Sequence, residues 1–418
     1  MLLLLAWVQS RNRASLQEPY PMRRCYPSIL VIALGLLCSN LAVQGADIKA
    51  PFSGTEVAYL LEGSTVHTYD IDRASGNPTE QGSGVTIDSV SSTVFLPSSN
   101  DHFIYVTGYD SSNVEWLWVY ATDSTGVPQL PAVQGLNLTD ETSSTYNFVI
   151  NKAGTLAYAA VSAYNRQYFL MAKIAKFRVD PNTGIVTKAS KPAATYTTNG
   201  PCLLSAEAFF NVYGFNPAGN TLYDAWTCWY PYGNDSDNYY ERNVNPTTGT
   251  LGPENQFFSW LDQNAGQDDV NITPSELAYF SIPDSSSVGK NSVTFYSLSG
   301  QQPFSCTASM LEACGYGLWN FVDPEGKFDL IEVAPDLTDI TKIDQADMKL
   351  VDTQNYVQGN FIGFAPDDAL IYTQQANQSN PWIYPIYVFN ANTGAVTYTG
   401  GAIWDWAAAG ALIPALRR

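Results

Sequence analysis

Basic residues and histidine are scarce in this chain. It has 20 Lys and Arg against 39 Asp and Glu, and 2 His, which gives a formal net charge of −19 over 418 residues. Charged residues of either sign make up 14% of the sequence, well below the ~25% usual in soluble domains. Binding to a nucleic-acid backbone or to an anionic membrane surface needs clustered Lys and Arg. Both are therefore excluded as general partners.

Long apolar runs are also absent, so the sequence predicts no membrane span. The best candidate, residues 30–37, is much shorter than the ~20 apolar residues that a spanning helix needs. It follows Arg23 and Arg24 and precedes a segment, 43–46, that suits signal-peptidase cleavage. This order of basic, apolar and cleavable segments is typical of a removable signal peptide.

The signal segment defines the mature chain. We expect translation to start near Met22, and residues 1–45 to consist of a signal peptide and a wrongly assigned N-terminal extension. Residues 46–418 are then secreted or periplasmic. A lipoprotein anchored at Cys38 is the alternative, although Leu37 is a poor fit to the small residue that precedes such a cysteine.

Cysteine is sparse, with 6 in the whole chain. Removal of the signal segment leaves an even number, which in an exported protein indicates disulfides. Four cysteines allow three pairings, and their order along the chain favours Cys202 with Cys228 and Cys306 with Cys314. A zinc site is disfavoured, because neither spacing is Cys-x-x-Cys and histidine is scarce.

No part of the mature chain shows a sustained helical period of apolar residues. Short runs rich in Val, Ile, Tyr and Phe alternate with turn-forming residues instead, which is typical of an all-β protein. These runs recur roughly every 50 residues, a period typical of β-propeller blades. One run contains Asp329–Ile331, and the other six end near aromatics, namely Tyr59, Tyr105, Tyr158, Tyr223, Tyr279 and Tyr372.

A turn motif follows most of these runs. It begins with Asp or Asn, whose side chain accepts backbone N–H groups two residues on, and it ends with Gly, which supplies a left-handed residue. We therefore expect hairpin turns at these positions. Calcium binding by the same side chains is the disfavoured alternative. The clearest copies begin at Asp72, Asp123, Asp180, Asn245 and Asn390.

The repeats predict a single all-β domain, a seven-bladed β-propeller. A blade cannot bury both faces of its sheet alone, so neighbouring blades must stack and the ring must close. The first strand, near 56–61, lacks an inner partner, and a small apolar segment at 407–413 is left over. We expect 407–413 to form the inner strand of the blade begun by residues 55–87. A frayed tail ending at Arg418 is the alternative.

Three segments carry a family resemblance, namely Tyr105–Gly108, Phe177–Thr187 and Val388–Thr397. An aromatic-ended strand followed by Val-Tyr-x-x-Asp and Asp-Pro-x-Thr-Gly resembles the seven-bladed lactonase-like propellers. These include 6-phosphogluconolactonase-type proteins and the repeats named for Tyr-Val-Thr-Asn. The resemblance covers nearly all of the mature chain, and its motifs are architectural. It implies the propeller fold and, as an activity, lactone hydrolysis.

The chain departs from this family in its functional residues. The enzymes place His, Arg and Glu on the strands that line the central channel. Here His67 lies within an alternating strand and His102 at a strand start, and neither matches the family's position. We therefore assign no catalytic residue and expect both to be strand or surface residues. The few available cations are Arg166, Arg178 and Arg242.

Acidic residues precede the inner strand in six of the seven repeats. In a propeller these segments converge on one mouth of the channel, where gathered carboxylates would repel one another or recruit a cation such as Ca²⁺. The alternative is chance placement in an acidic chain. The residues are Asp88, Glu141, Glu207, Asp268, Asp269, Glu312 and Asp405, with Asn355 and Gln358 near the seventh repeat.

The fourth repeat contains an unusual insertion of aromatic and acidic residues at 226–241. Trp229 and Tyr232 in this segment suit stacking on a sugar ring or packing against a protein partner. Packing of the same aromatics between blades is the alternative.

These features predict a monomeric, non-catalytic propeller that binds a small polyhydroxylated ligand, such as a glycan, or a protein at the channel mouth. The second possibility is a lactone hydrolase, a carboxylic-ester-type hydrolase that uses the channel carboxylates and a cation. A structural surface protein without a ligand is a third. Whether the chain is an enzyme stays open at the level of sequence.

Overall fold

Antiparallel strands make up the regular structure of the described residues. The computed structural model describes residues 55–89, 91–97, 102–138, 143–164, 169–196, 200–202, 207–216, 218–229, 235–262, 271–272, 277–283, 291–297, 304–305, 320–323, 327–334, 337–344, 349–365, 369–375, 382–405 and 411–417. All of them belong to one unit, Gly35–Arg418. Across these ranges no helix has the length and apolarity that a membrane crossing requires. The expected all-β fold is confirmed for this part of the chain. The predicted signal segment, residues 1–45, lies outside the described residues.

Thirty strands are present in these ranges. The first seventeen are β1 (Thr55–Glu62), β2 (Thr65–Ile71), β3 (Pro78–Glu80), β4 (Val85–Thr86), β5 (Ser91–Pro97), β6 (Phe103–Tyr109), β7 (Glu115–Ala121), β8 (Gln134–Asn137), β9 (Ser143–Ile150), β10 (Leu156–Tyr164), β11 (Phe169–Val179), β12 (Val186–Lys188), β13 (Ala194–Tyr196), β14 (Glu207–Phe215), β15 (Thr221–Trp229), β16 (Asp235–Asn243) and β17 (Asn255–Asp262). The remainder are β18 (Asn271–Ile272), β19 (Leu277–Pro283), β20 (Asn291–Ser297), β21 (Phe304–Ser305), β22 (Asn320–Val322), β23 (Phe328–Ala334), β24 (Leu337–Asp344), β25 (Lys349–Gln358), β26 (Asn360–Phe364), β27 (Leu370–Gln374), β28 (Trp382–Asn390), β29 (Ala395–Asp405) and β30 (Ala411–Arg417).

Within the described ranges these strands form seven antiparallel sheets. Sheet 1 has the order β3-β2-β1-β30, with β4 also paired to β2. Sheets 2, 4, 5, 6 and 7 are meanders of consecutive strands, β5–β8, β14–β17, β18–β21, β22–β25 and β26–β29. Sheet 3 has the order β12-β11-β10-β9, with β13 also paired to β11. The six predicted tyrosines and the run at Asp329–Ile331 each lie on the second strand of a different sheet, counting β30 as the first strand of sheet 1.

The last strand of the chain pairs with the first. β30 runs from Ala411 to Arg417, with Ala411 opposite Leu61 and Arg417 opposite Thr55. The expected segment, 407–413, was therefore placed too early, and the alternative of a frayed tail is wrong for Arg417. In sheet 1, β30 takes the position that the first strand takes in each of the other six described sheets. The strand extends further because alternate residues beyond 413, such as Ala415, bury against the neighbouring sheet.

Alternation along β1 explains how sheet 1 packs on both sides. Val57 and Tyr59 join a buried cluster with residues of sheet 2, whereas Ala58 and Leu60 join another cluster with residues of sheet 7. Successive side chains of a strand point to opposite faces, so one short run of apolar residues serves two interfaces. This two-sided burial is why the strands are apolar nearly throughout.

The buried clusters show which sheets pack against each other at five interfaces. Sheet 6 packs on sheet 7, sheet 7 on sheet 1, sheet 1 on sheet 2, sheet 2 on sheet 3 and sheet 3 on sheet 4. Sheet 1, which contains the first strand of the chain, thus packs directly on sheet 7, the last meander along the chain. The side chains of sheet 5 are outside those described.

The predicted turn motif forms hairpin turns. At Asn245, for example, the side-chain Oδ1 accepts the N–H groups of Thr247 and Thr248, and the backbone oxygen accepts the N–H of Gly249. Gly249 has a φ of +64°, and a Cβ there would lie 3.0 Å from Leu156 of sheet 3. The glycine is required both by the backbone and by the approach of the neighbouring sheet. The other four copies have the same backbone bond and a glycine with positive φ, so the turn interpretation is confirmed.

Candidate functional site

Three of the seven predicted acidic residues fall within the described part of the chain. Asp88 lies three residues before the start of β5, Glu207 begins β14, and Asp405 ends β29, after which the chain continues to β30. We call the residues that lead into the first strand of a sheet its approach segment. The remaining four, Glu141, Asp268, Asp269 and Glu312, lie outside the described residues, as does Tyr232. A gathering of all seven at one mouth therefore stays a prediction.

Asp88 is held by a tyrosine of sheet 2. The Tyr120 hydroxyl donates to Asp88 Oδ2 over 3.0 Å and accepts the Asp88 backbone N–H over 2.9 Å. Burial raises the pKa of Tyr120 well above its usual value, which keeps the phenol protonated as a donor. Tyr387 of sheet 7 holds Gln358 in the same way through the backbone of that residue. In these two sheets a third-strand tyrosine thus fixes the approach segment.

Asp405 is fully buried and forms a hydrogen bond with a second carboxyl group, that of Glu62 at the end of β1. Burial, followed by the hydrogen bond and the charge of Asp405, raises the pKa of Glu62. This pair links sheet 7 to sheet 1 at the edge where β30 begins.

A histidine completes this group of side chains. His67 Nδ1 lies 2.8 Å from Glu80 Oε1, and His67 Nε2 lies 3.8 Å from Glu62 Oε2. The His67 side chain is 22% exposed. Burial and the nearby carboxyls of Glu80, Glu62 and Asp405 raise the pKa of Tyr69 to about 12. We call Glu62, His67, Tyr69, Glu80 and Asp405 the histidine cluster.

A glycine loop packs on the imidazole. Gly84 has a φ of +77°, and a Cβ at this position would lie 2.9 Å from His67 Cε1 and 2.9 Å from Thr65 Cγ2. Only glycine lets the backbone approach the ring this closely. The imidazole is thereby fixed from two sides, by the Glu80 carboxylate and by the loop.

The expectation that His67 is an ordinary strand residue overlooked this cluster. The signal in the sequence was the short turn Gly63–Ser64, which brings Glu62 and His67 close together across the β1–β2 hairpin. Imidazole and carboxyl groups placed together are typical of sites of proton transfer. The position of Asp405 could not be deduced in this way, because it depends on the packing of sheet 7 against sheet 1.

The approach edge of sheet 4 brings two predicted ligand-binding residues together. Glu207 is opposite Trp229 in the β14–β15 register, and Asp235 is opposite Asp262 in the β16–β17 register at the same edge. The disulfide between Cys202 and Cys228 joins the approach segment of this sheet to β15, as expected. The other predicted pair, Cys306 and Cys314, lies outside the described residues.

Two of the three predicted cations, Arg178 and Arg242, have structural contacts, whereas Arg166 lies outside the described residues. Arg242 is buried, and its Nε donates to Asp224 over 2.5 Å while its Nη2 donates to Glu254 and to the Tyr196 hydroxyl. Burial raises the pKa of Asp224 to about 7, although Arg242 opposes this shift. Arg178 is exposed and donates to the Thr247 carbonyl of the next sheet.

Metal binding has no support in the described residues. There, no three side chains of His, Cys, Asp or Glu come together as a metal ion would require. A Ca²⁺ site that includes Glu141, Asp268, Asp269 or Glu312 stays a prediction, because those residues lie outside the described ranges.

Comparison with known proteins establishes the fold class. No family model matches the sequence, and no curated protein matches it either. Among solved structures, a candidate 6-phosphogluconolactonase from Bacteroides fragilis is similar with a TM-score of 0.54 at 15% identity, over 87% of this chain and 99% of that one. A second, from Bacteroides uniformis, has a TM-score of 0.52 at 15% identity, over 86% of this chain and 99% of that one.

The fold of the described residues is similar to that of these two proteins. At 15% identity this likeness concerns architecture, and it agrees with the antiparallel sheets described above. The activity in the names of those two proteins does not transfer to this chain, because function depends on the residues of a site and not on the fold.

Proposed function

We propose that the seven sheets are the blades of a closed ring. The consecutive packing of sheets 6, 7, 1, 2, 3 and 4 supports this arrangement. The pairing of β30 with β1 supports it as well, because the C-terminal strand then completes the N-terminal blade. Such closure would leave neither end of the stack exposed. The approach segments, each of which leads into the first strand of a sheet, would then lie around one mouth of the central channel.

We further propose that the exported, monomeric chain binds a polyhydroxylated ligand, such as a glycan, at this mouth. The observation that carries the proposal is the pairing of Glu207 with Trp229 at the approach edge of sheet 4. An indole ring offers a flat apolar surface for the apolar face of a sugar ring, and a carboxylate accepts hydrogen bonds from sugar hydroxyls. The Cys202–Cys228 disulfide holds the backbone beside this pair.

Glycan binding can be tested by retention of the purified mature protein on immobilised glycans. We expect Trp229→Ala and Glu207→Gln each to weaken retention about 10-fold or more, as for a central contact. Tyr398→Ala, which removes a 52% exposed aromatic from β29, is the matched control and should bind as the wild type does. Retention that no variant changes, or a wild type that binds no glycan, would count against the proposal. If the same two residues are instead required to retain a protein, the ligand is a protein partner and not a glycan.

The histidine cluster favours a second candidate function, hydrolysis of a lactone. His67 Nε2 and Glu62 Oε2, 3.8 Å apart, can both reach one water molecule. In the proposed step the water oxygen attacks the lactone carbonyl carbon while His67 Nε2 takes a proton from the water. The bond between the carbonyl carbon and the ring oxygen then breaks. The proton passes from His67 to the leaving ring oxygen, and a hydroxy acid is formed.

The two histidines provide the test of hydrolysis. The mature chain would be assayed against a panel of lactones, with and without divalent metal. We expect His67→Gln to lower the rate by about 10²-fold or more, whereas His102→Gln, at an exposed residue, should leave it unchanged. Equal rates in these two variants, or no hydrolysis by the wild type, would rule out this activity. Glu207→Gln separates the two functions, because it should weaken glycan binding and leave hydrolysis intact.

A further inference from the structure

An acceptor pattern for N-linked glycosylation ends the outermost strand of sheet 2. Asn137, Leu138 and Thr139 read Asn-x-Thr, the pattern that oligosaccharide transfer requires in a secretory compartment. The same pattern occurs at Asn234, Asn271 and Asn377. Of the four asparagines, Asn137 has a described side chain.

The structure presents Asn137 on the surface. It is the last residue of β8 and is exposed, whereas the next residue, Leu138, is only 3% exposed. The Leu138 N–H donates to the Glu115 carbonyl over 2.9 Å. The buried leucine and its backbone bond therefore fix the end of the strand, while the Asn137 side chain remains on the solvent side.

A rigid aromatic surface lies beside this asparagine. Trp116 is opposite Asn137 in the β7–β8 register, where side chains are roughly 5 Å apart at Cβ. Trp116 Nε1 donates to Asp110 Oδ2 over 3.0 Å, and its ring stacks on Trp118 with centroids 6.3 Å apart. The indole is thus held in place and only partly covered.

We propose that Asn137 carries an N-linked glycan whose first sugar packs beside Trp116. In the transfer, Asn137 Nδ2 attacks the anomeric carbon of a lipid-pyrophosphate-linked oligosaccharide. The bond between that carbon and the pyrophosphate oxygen breaks, Nδ2 loses one proton, and the lipid pyrophosphate leaves. This inference rests on the proposed export of the chain.

The glycan has a physical role at this place. Within the described residues β8 is the edge strand of sheet 2, and its one strand partner there is β7. An open edge is a route to aggregation unless it is covered or charged. A bulky, hydrophilic glycan at the end of β8 blocks the approach of a second chain.

The modification can be tested by expression in a eukaryotic secretory host, followed by peptide mapping with and without a peptide N-glycosidase. We expect the wild-type 137 peptide to carry a glycan and to show Asp at 137 after the enzyme acts. Asn137→Gln and Thr139→Ala should each lose this glycan. Thr139→Ser preserves the acceptor pattern and should retain it.

A second expression arm separates the modification from export. In one arm the chain uses its own leader, and in the other a leader of proven function replaces residues 1–45. A glycan at Asn137 in the second arm alone would support the modification and contradict the proposed export. An unmodified 137 peptide in secreted wild-type protein from both arms would overturn the inference.

Discussion

Buried carboxyl groups lie at the interface of sheets 1 and 7, and we expect them to make stability depend on pH. Glu56 of β1 is fully buried and accepts a hydrogen bond from the Tyr372 hydroxyl of sheet 7 over 3.2 Å. Burial raises the pKa of Glu56 to about 8, although Arg73 and Tyr372 oppose the shift. The folded protein therefore keeps a proton on Glu56 at pH values where the unfolded chain has lost it.

The sign of this effect predicts the behaviour of Glu56→Gln. Wild-type stability should fall as pH rises from the unfolded pKa of ~4.3 to about 8, because the unfolded chain releases the Glu56 proton first. The variant lacks this contribution. We expect equal stabilities near pH 4 and a variant more stable by on the order of 5 kcal/mol at pH 8. Thermal unfolding across this range measures the difference, and parallel curves for the two proteins would contradict it.

Two glycines of one loop allow a controlled test of how His67 is positioned. Gly82 and Gly84 have φ values of +80° and +77°, but a Cβ at Gly82 meets nothing within 4 Å. Each change to Ala should cost about 1 kcal/mol through the backbone. Gly84→Ala should cost more and should also shift the His67 imidazole NMR signals, because its Cβ displaces the ring. Identical spectra for the two variants would show that the loop does not fix His67.

At the scale of elements, the second-strand tyrosines of sheets 1 and 3 each bond a turn of the next sheet. The Tyr59 hydroxyl donates to the Gly126 carbonyl over 3.0 Å, and the Tyr158 hydroxyl donates to the Gly249 carbonyl over 2.9 Å. The repeated aromatic and the repeated turn glycine are thus two parts of one contact between neighbouring sheets.

Removal of one such hydroxyl should lower the stability of the folded protein measurably. Tyr158→Phe leaves the buried Gly249 carbonyl without this donor, which should lower the free energy of unfolding by about 1–2 kcal/mol. Tyr356→Phe, at a residue that is 62% exposed, is the control and should have no effect. Denaturant unfolding with unchanged slope would measure both. A Tyr158→Phe variant as stable as the wild type would show that the contact contributes nothing.

Local patterns in the sequence predicted the strands, the turns and the Cys202–Cys228 disulfide, because each depends on residues close together in the chain. Contacts between distant segments were not predictable in this way. Asp329 illustrates the limit, since it occupies a buried position that holds Ala58, Ile104, Ala157, Leu222 and Ile371 in other sheets. The run at Asp329–Ile331 predicted a strand, but the burial of the acid depends on the packing of sheet 6.

At the scale of the whole molecule, the proposed closed ring depends on the pairing of the C-terminal strand β30 with the N-terminal strand β1. Sheet 1 takes its first strand from the C-terminus and the others from the N-terminus, so β30 can pair with β1 only after the rest of the chain is made. The histidine cluster on one edge and the Glu56–Tyr372 pair both lie at the interface of sheets 1 and 7. Loss of β30 would therefore disturb both groups of carboxyls together.

The most direct test is cross-linking of β1 to β30 by a pair of introduced cysteines in the mature chain. Leu61 and Ala411 are partners in the register, whereas Ala415 pairs with Val57. We predict that Leu61→Cys with Ala411→Cys gives an intramolecular disulfide in the folded monomer, identified by mass spectrometry, and that Leu61→Cys with Ala415→Cys does not. A folded monomer in which the first pair stays reduced, or a bond that forms only between two molecules, would contradict the closed ring.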